Sequence, residues 1–226
     1  MASNPVATQN LKSPTLPRIS RPNAPFATVV VGPEKISFIV HLDLLVYYSP
    51  FFRAALVGNF KEAATKTVLL PTEKPETFEF FVHWLYNSRF PDPKHHDDTL
   101  LIEKWGLPDQ EGGYKKTENL IKLYVFCGKY QIDRLGLKCL QILFIHVEQP
   151  GTWVPSSEMV QHAYENLDSR DTLCRWMVHA QCQWGDWGHT DTWAWPEKFL
   201  TGVLEKYAML AKMRQEERSP VLPPFY

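Results

Sequence analysis

The hydrophobic pattern changes period three times along the first ninety or so residues of the chain. Thr28-Val-Val-Val31 and Ile36-Ser-Phe-Ile-Val40 are rich in β-branched residues, and Gly32-Pro33-Glu34-Lys35 between them is turn chemistry, so a β-hairpin is predicted. Within the second run Ile36, Phe38 and Val40 alternate with Ser37 and Ile39, which sets one face on a core. After His41 the spacing turns helical. A short helix is predicted from 41 to about 48, with Ser49 capping a second that opens on Pro50, where a missing N–H costs nothing. Gly58 should end that helix in a left-handed conformation. Val68-Leu-Leu70 reads as a short strand, and Pro75 opens a helix with Phe78, Phe81, Val82 and Leu85 at i, i+3, i+4, i+7. Phe80 and Trp84 add a second stripe, so this helix must be covered on two faces and should lie centrally.

Residues 88–116 break the pattern with Pro91, Pro93, Pro108, Gly112 and Gly113, and are predicted to form an insertion loop. Helical spacing resumes at Thr117, a plausible N-cap, through Leu120, Leu123, Tyr124 and Cys127, then from Leu135 to Val147. Further helices are expected over 157–166, 168–183 and 196–218, with a Trp-rich stretch from 184 to 195 between the last two. The plan is therefore α+β: a Pro-rich disordered leader (1–25), a helix-rich domain with a small sheet of about three strands (26–147), an all-helical extension (148–218) and a tail (219–226).

Composition narrows the function. With 44% hydrophobic and 22% charged residues the chain is of ordinary globular type, and a net charge of −1 lacks the basic field that displaces counterions from nucleic acid. Cys127, Cys139, Cys174 and Cys182 fall within helical patterns without a disulfide framework, which favours a reducing compartment. No signal-peptide core or membrane-spanning run is present, so cytosol or nucleus is expected, with no membrane partner. Gly-x-Ser-x-Gly, phosphate-binding Gly-rich loops and His-Glu-x-x-His are all missing. Cys174, His179, Cys182 and His189 lack a Cys-x-x-Cys knuckle and read as packing rather than zinc ligands. His95-His96-Asp97-Asp98 reads as a solvated loop, His41 as a hydrogen-bonded structural residue, and the tryptophans as a local core. No catalytic residue, cofactor or metal is expected.

Five motifs in order carry a family resemblance: His41-x-x-Leu44-Leu45, Ser49-Pro50-Phe51-Phe52, Gly58-Asn59-Phe60-Lys61-Glu62, Phe81-x-x-Trp84-Leu85-Tyr86, and Leu123-Tyr-Val-Phe-Cys-Gly-Lys-Tyr130 running on to Leu135. From about residue 27 to 145 the chain resembles BTB/POZ domains, particularly the compact type of filamentous fungi. Beyond 145 it resembles the BACK-like helical extensions that follow many of them. The resemblance implies a non-enzymatic module that works through protein partners, by self-association or as an adaptor. Some family members dock to a cullin scaffold of a ubiquitin ligase through a hydrophobic-x-Glu motif after the Ser-Pro helix. Phe60-Lys61-Glu62 matches that motif, with Phe60 as a desolvated anchor and Glu62 as a charged rim contact.

Homodimeric relatives that regulate transcription carry an acidic residue at the start of the first strand and a basic one after the motif histidine. Phe26-Ala27-Thr28 and Leu42 stand there instead, so that charged dimer pocket is not expected. Two other readings stay open: a transcriptional regulator acting through partners without direct DNA contact, and an enzyme or small-molecule binder with a deep pocket lined by Trp184 and Trp187.

Overall fold

The computed structural model describes residues 16–105, 113–147, 154–185 and 194–218. Strand β1 (Phe26–Val31) pairs antiparallel with β2 (Ile36–His41) and parallel with β3 (Thr67–Leu70), giving the sheet order β2-β1-β3. A parallel pair cannot be joined by a tight turn. The crossover here is made by α1 (Leu42–Tyr48), α2 (Pro50–Val57) and the short α3 (Lys61–Thr65). The hairpin turn places Gly32 at φ +76°, where a Cβ would also come 3.3 Å from the Glu73 carbonyl oxygen, so glycine answers both demands. Alternation in β1 buries Ala27, Val29 and Val31. In β2 the inner face holds at Phe38 and Val40, but Ile36 at the strand's start overhangs the core and is exposed.

Ser49 caps α2 as its sequence predicts and does more. Its Oγ accepts from the Phe52 N–H (3.1 Å) and donates to the Tyr130 carbonyl (2.6 Å), tying two distant segments together in a site closed to water. Ser49→Ala strands both groups, and a loss of about 2 kcal/mol is expected in urea melts. Gly58 corrects an expectation. It is extended (φ −74°, ψ −160°), not left-handed, and the chain bends through residues 58–60 before α3 begins. A Cβ there would meet the Ala54 carbonyl oxygen at 2.3 Å, so steric closeness is what requires glycine. The left-handed stop falls instead at Lys66 (φ +51°), whose ammonium donates to the Leu56 carbonyl.

Helix α4 (Pro75–Asn87) buries both of its stripes, with Phe78, Phe80, Phe81, Trp84 and Leu85 inside. Phe52 lies fully buried against it, nearly parallel to Phe81 (11°, 6.2 Å) and to Tyr130 (20°, 5.9 Å). Phe126 closes the cluster against Phe78 and Phe81.

Much of the described part of 88–116, where an insertion loop is expected, is helical; residues 106–112 lie outside the described residues. A 3-10 turn (His96–Asp98) leads into α5 (Thr99–Trp105), and Trp105 packs on Phe80 with ring centroids 4.1 Å apart. Asp98, expected in a solvated stretch, is buried. Its carboxylate accepts from the Arg89 guanidinium and from the Asp92 N–H, and lies 3.7 Å from His83 Nδ1, while His95, His96 and Asp97 stay exposed. This order comes from a pair nine residues apart in sequence, which no local periodicity announces. The next helix, α6 (Gly113–Lys129), starts one turn before Thr117, which is buried within it rather than capping it.

The Asp98 clamp makes the fold acid-sensitive. Burial lowers the His83 pKa from its ordinary 6.5, against the pull of Asp98, and the Arg89 hydrogen bond lowers that of Asp98 despite its burial. Both groups bind protons more readily when unfolded, so both contribute stability that is lost on acidification. Melting temperature should start to fall as pH drops below about 6.5, and His83→Gln should flatten that first slope in melts recorded between pH 8 and 5.

Helices α7 (Asp133–Val147), α8 (Ser157–Asn166), α9 (Thr172–Trp184) and α10 (Glu197–Arg218) complete the fold, and one continuous core runs from the sheet to Phe199 and Val203. Helix α9 begins four residues later than its sequence predicts. Asp168 shapes a turn, and Asp171 is the cap, accepting from the Leu173 N–H (2.8 Å) and from the Tyr124 hydroxyl (3.0 Å). Of the leader, residues 1–15 lie outside the described residues; the next ten are largely exposed, with Arg21 paired to Asp43. The tail 219–226 also lies outside them.

Candidate partner-docking site

The three residues singled out in the sequence sit where α2 hands over to α3. Phe60 is the cap residue of α3 in an extended conformation (φ −87°, ψ 160°), its carbonyl accepting from the Ala63 N–H. Phe60 is 62% exposed although it is a large apolar side chain. Lys61 is exposed, and Glu62 lies half-buried in the first turn of α3. The structure thus places an apolar ring, a cation and a carboxylate on consecutive positions. A residue not singled out in the sequence joins them: Val57, at the end of α2, is 55% exposed. It lies on the outward face of α2, four residues after Arg53 and seven after exposed Pro50, away from buried Phe52 and Leu56.

Other candidates resolve differently. His41 is structural. Tyr86 Oη accepts from the His41 N–H (3.1 Å) and lies 2.7 Å from Nδ1, so one hydroxyl holds both the backbone and the ring of this histidine. Cys127, Cys139 and Cys174 are buried and free; burial pushes the Cys127 thiol up, helped by its neighbour Cys139, and the Cys174 thiol up to about 12, so neither is a nucleophile near neutrality. Among the described residues no group of three or more His, Cys, Asp or Glu side chains is placed to hold a metal; His189 lies outside them. No described helix is long and apolar enough to cross a membrane. The pocket imagined around Trp184 and Trp187 takes another form: Trp187 is outside the described residues, and the large cleft of the C-terminal half is lined by Trp176 instead. Trp195 stacks on Phe199 (4.7 Å, 19°) and belongs to the core.

The domain that carries this junction is a three-stranded mixed sheet capped by helices, with an exposed apolar ring between α2 and α3. Residues 21–105 match the BTB/POZ domain family model, and this part of the chain is a BTB/POZ domain, a protein–protein interaction module, followed by helices. Domains of this family mediate partner binding and self-association. No curated protein matches the chain in sequence.

Proposed function

We propose that the protein is an adaptor that docks to a cullin-type ubiquitin-ligase scaffold through Phe60, Lys61 and Glu62, with its helical C-terminal half left to engage other proteins. The observation that carries this reading is the exposure of Phe60. A phenylalanine that could have packed under its own helix is presented to solvent beside exposed Val57, and burying it in a partner recovers its transfer free energy. Glu62, on the first turn of α3, supplies a carboxylate at the edge of the same patch, suited to fixing orientation. Co-precipitation of a cullin by the wild-type protein, and its loss on Phe60→Ala with Glu62→Ala, is the expected result. Recovery of equal cullin by wild type and double variant sinks the proposal.

A further inference from the structure

The C-terminal half contains a surface that the cullin reading does not use. A cleft of about 1030 Å³ opens between α9 and α10, which touch where Val178 meets Gly202. A Cβ on Gly202 would lie 3.1 Å from Val178 Cγ2, so the glycine lets the two helices approach closely where they line the cleft.

The charges on those faces are unbalanced. Arg170, Arg175, Lys198 and Lys206 line the cleft against Glu197 and Glu205. Arg170 is held by Asp168 at 3.0 Å, whereas Arg175, Lys198 and Lys206 form no ion pair among the described residues. Between the cations the lining is aromatic: Trp176, half-buried, lies 6.0 Å from Phe144. Unpaired cations around an aromatic floor suit a ligand with carboxylates flanking an apolar anchor.

We propose that this cleft binds an acidic peptide segment of a partner protein, whose carboxylates meet Arg175, Lys198 and Lys206 while an apolar side chain seats on Trp176. A polyphosphate strand fits less well. Glu197 and Glu205 share the lining and would oppose a continuous line of negative charge, whereas a peptide can place its acidic residues selectively. This proposal does not depend on cullin docking, and its residues are far in sequence from Phe60.

Fluorescence anisotropy with the full chain tests it, using three labelled probes: a short peptide alternating Glu with Leu and Phe, the same peptide with Lys for Glu, and an oligothymidylate. The acidic peptide should bind at least about tenfold more tightly than either other probe. Arg175→Glu with Lys198→Glu, both at exposed positions, should weaken it by about tenfold or more, since like charges then face each other. Phe60→Ala should leave it unchanged, which separates this outcome from a failure of the cullin reading. Should the double variant lose its native far-UV circular dichroism, salt titration of the wild type decides instead, because contacts between exposed charges must weaken as salt rises. Equal binding of the Lys peptide, preference for the oligothymidylate, undiminished binding by a folded double variant, or indifference to salt overturns the assignment.

Discussion

Replacing Phe52 with alanine is expected to lower the stability of the whole chain by about 3–5 kcal/mol, the largest effect of any single truncation considered. Phe52 is fully buried where α2, α4 and the end of α6 meet, and its ring is stacked with Phe81 and Tyr130 at once. Removing it forfeits transfer free energy and leaves a void walled by rings that cannot collapse toward one another without moving two helices. At the roughly 2–4 °C per kcal/mol typical of a chain this size, the melting temperature should fall by about 6–20 °C, readable by calorimetry. Phe52→Leu should recover part of the loss, since it refills volume without restoring the stack. A fall smaller than about 1 kcal/mol would mean that the aromatic cluster does not organise the domain.

Phe60, eight positions along, should behave in the opposite way. Its side chain is mostly in water, so Phe60→Ala should change stability by no more than about 0.5 kcal/mol. In binding, a central aromatic anchor typically costs about 2–4 kcal/mol when truncated, so affinity for the cullin scaffold should drop by roughly thirty-fold to a thousand-fold. Glu62→Ala alone should act more weakly and chiefly through association rate and salt dependence, as a rim charge does. Two phenylalanines in one short stretch should thus separate folding from docking: truncating Phe52 is expected to cost stability, and truncating Phe60 to cost partner affinity at unchanged stability.

The contrast also shows what the sequence discloses. The hairpin, the Ser49-Pro50 cap and the doubly apolar α4 were readable because each follows from local chemistry: β-branching, an oxygen facing free N–H groups, a helical repeat of large side chains. The segment after Asn87 was not, since its order rests on Asp98 reaching Arg89 and on Trp105 finding Phe80, both tertiary events that proline spacing hides. Asp171 was missed as a cap for a similar reason. Asp168 is an equally good capping residue, and only the turn it forms with Arg170 and the Tyr124 hydroxyl decide between them. At the candidate site, Phe60-Lys61-Glu62 was legible as a motif, but the exposure of Phe60 was not, since it depends on how the α2–α3 junction sits on the core. The basic cleft left no linear trace at all, because its cations come from two separate helices, α9 and α10, that meet only on folding.

The most direct test of the central claim is a calorimetric titration of a purified cullin amino-terminal domain into the full chain and into its Phe60→Ala, Glu62→Ala variant, with matched melting curves for both. Saturable binding by the wild type and none by an equally stable variant is the predicted result. No heat with the wild type, or the same affinity for both proteins, would contradict the assignment of Phe60, Lys61 and Glu62 as a cullin-docking surface.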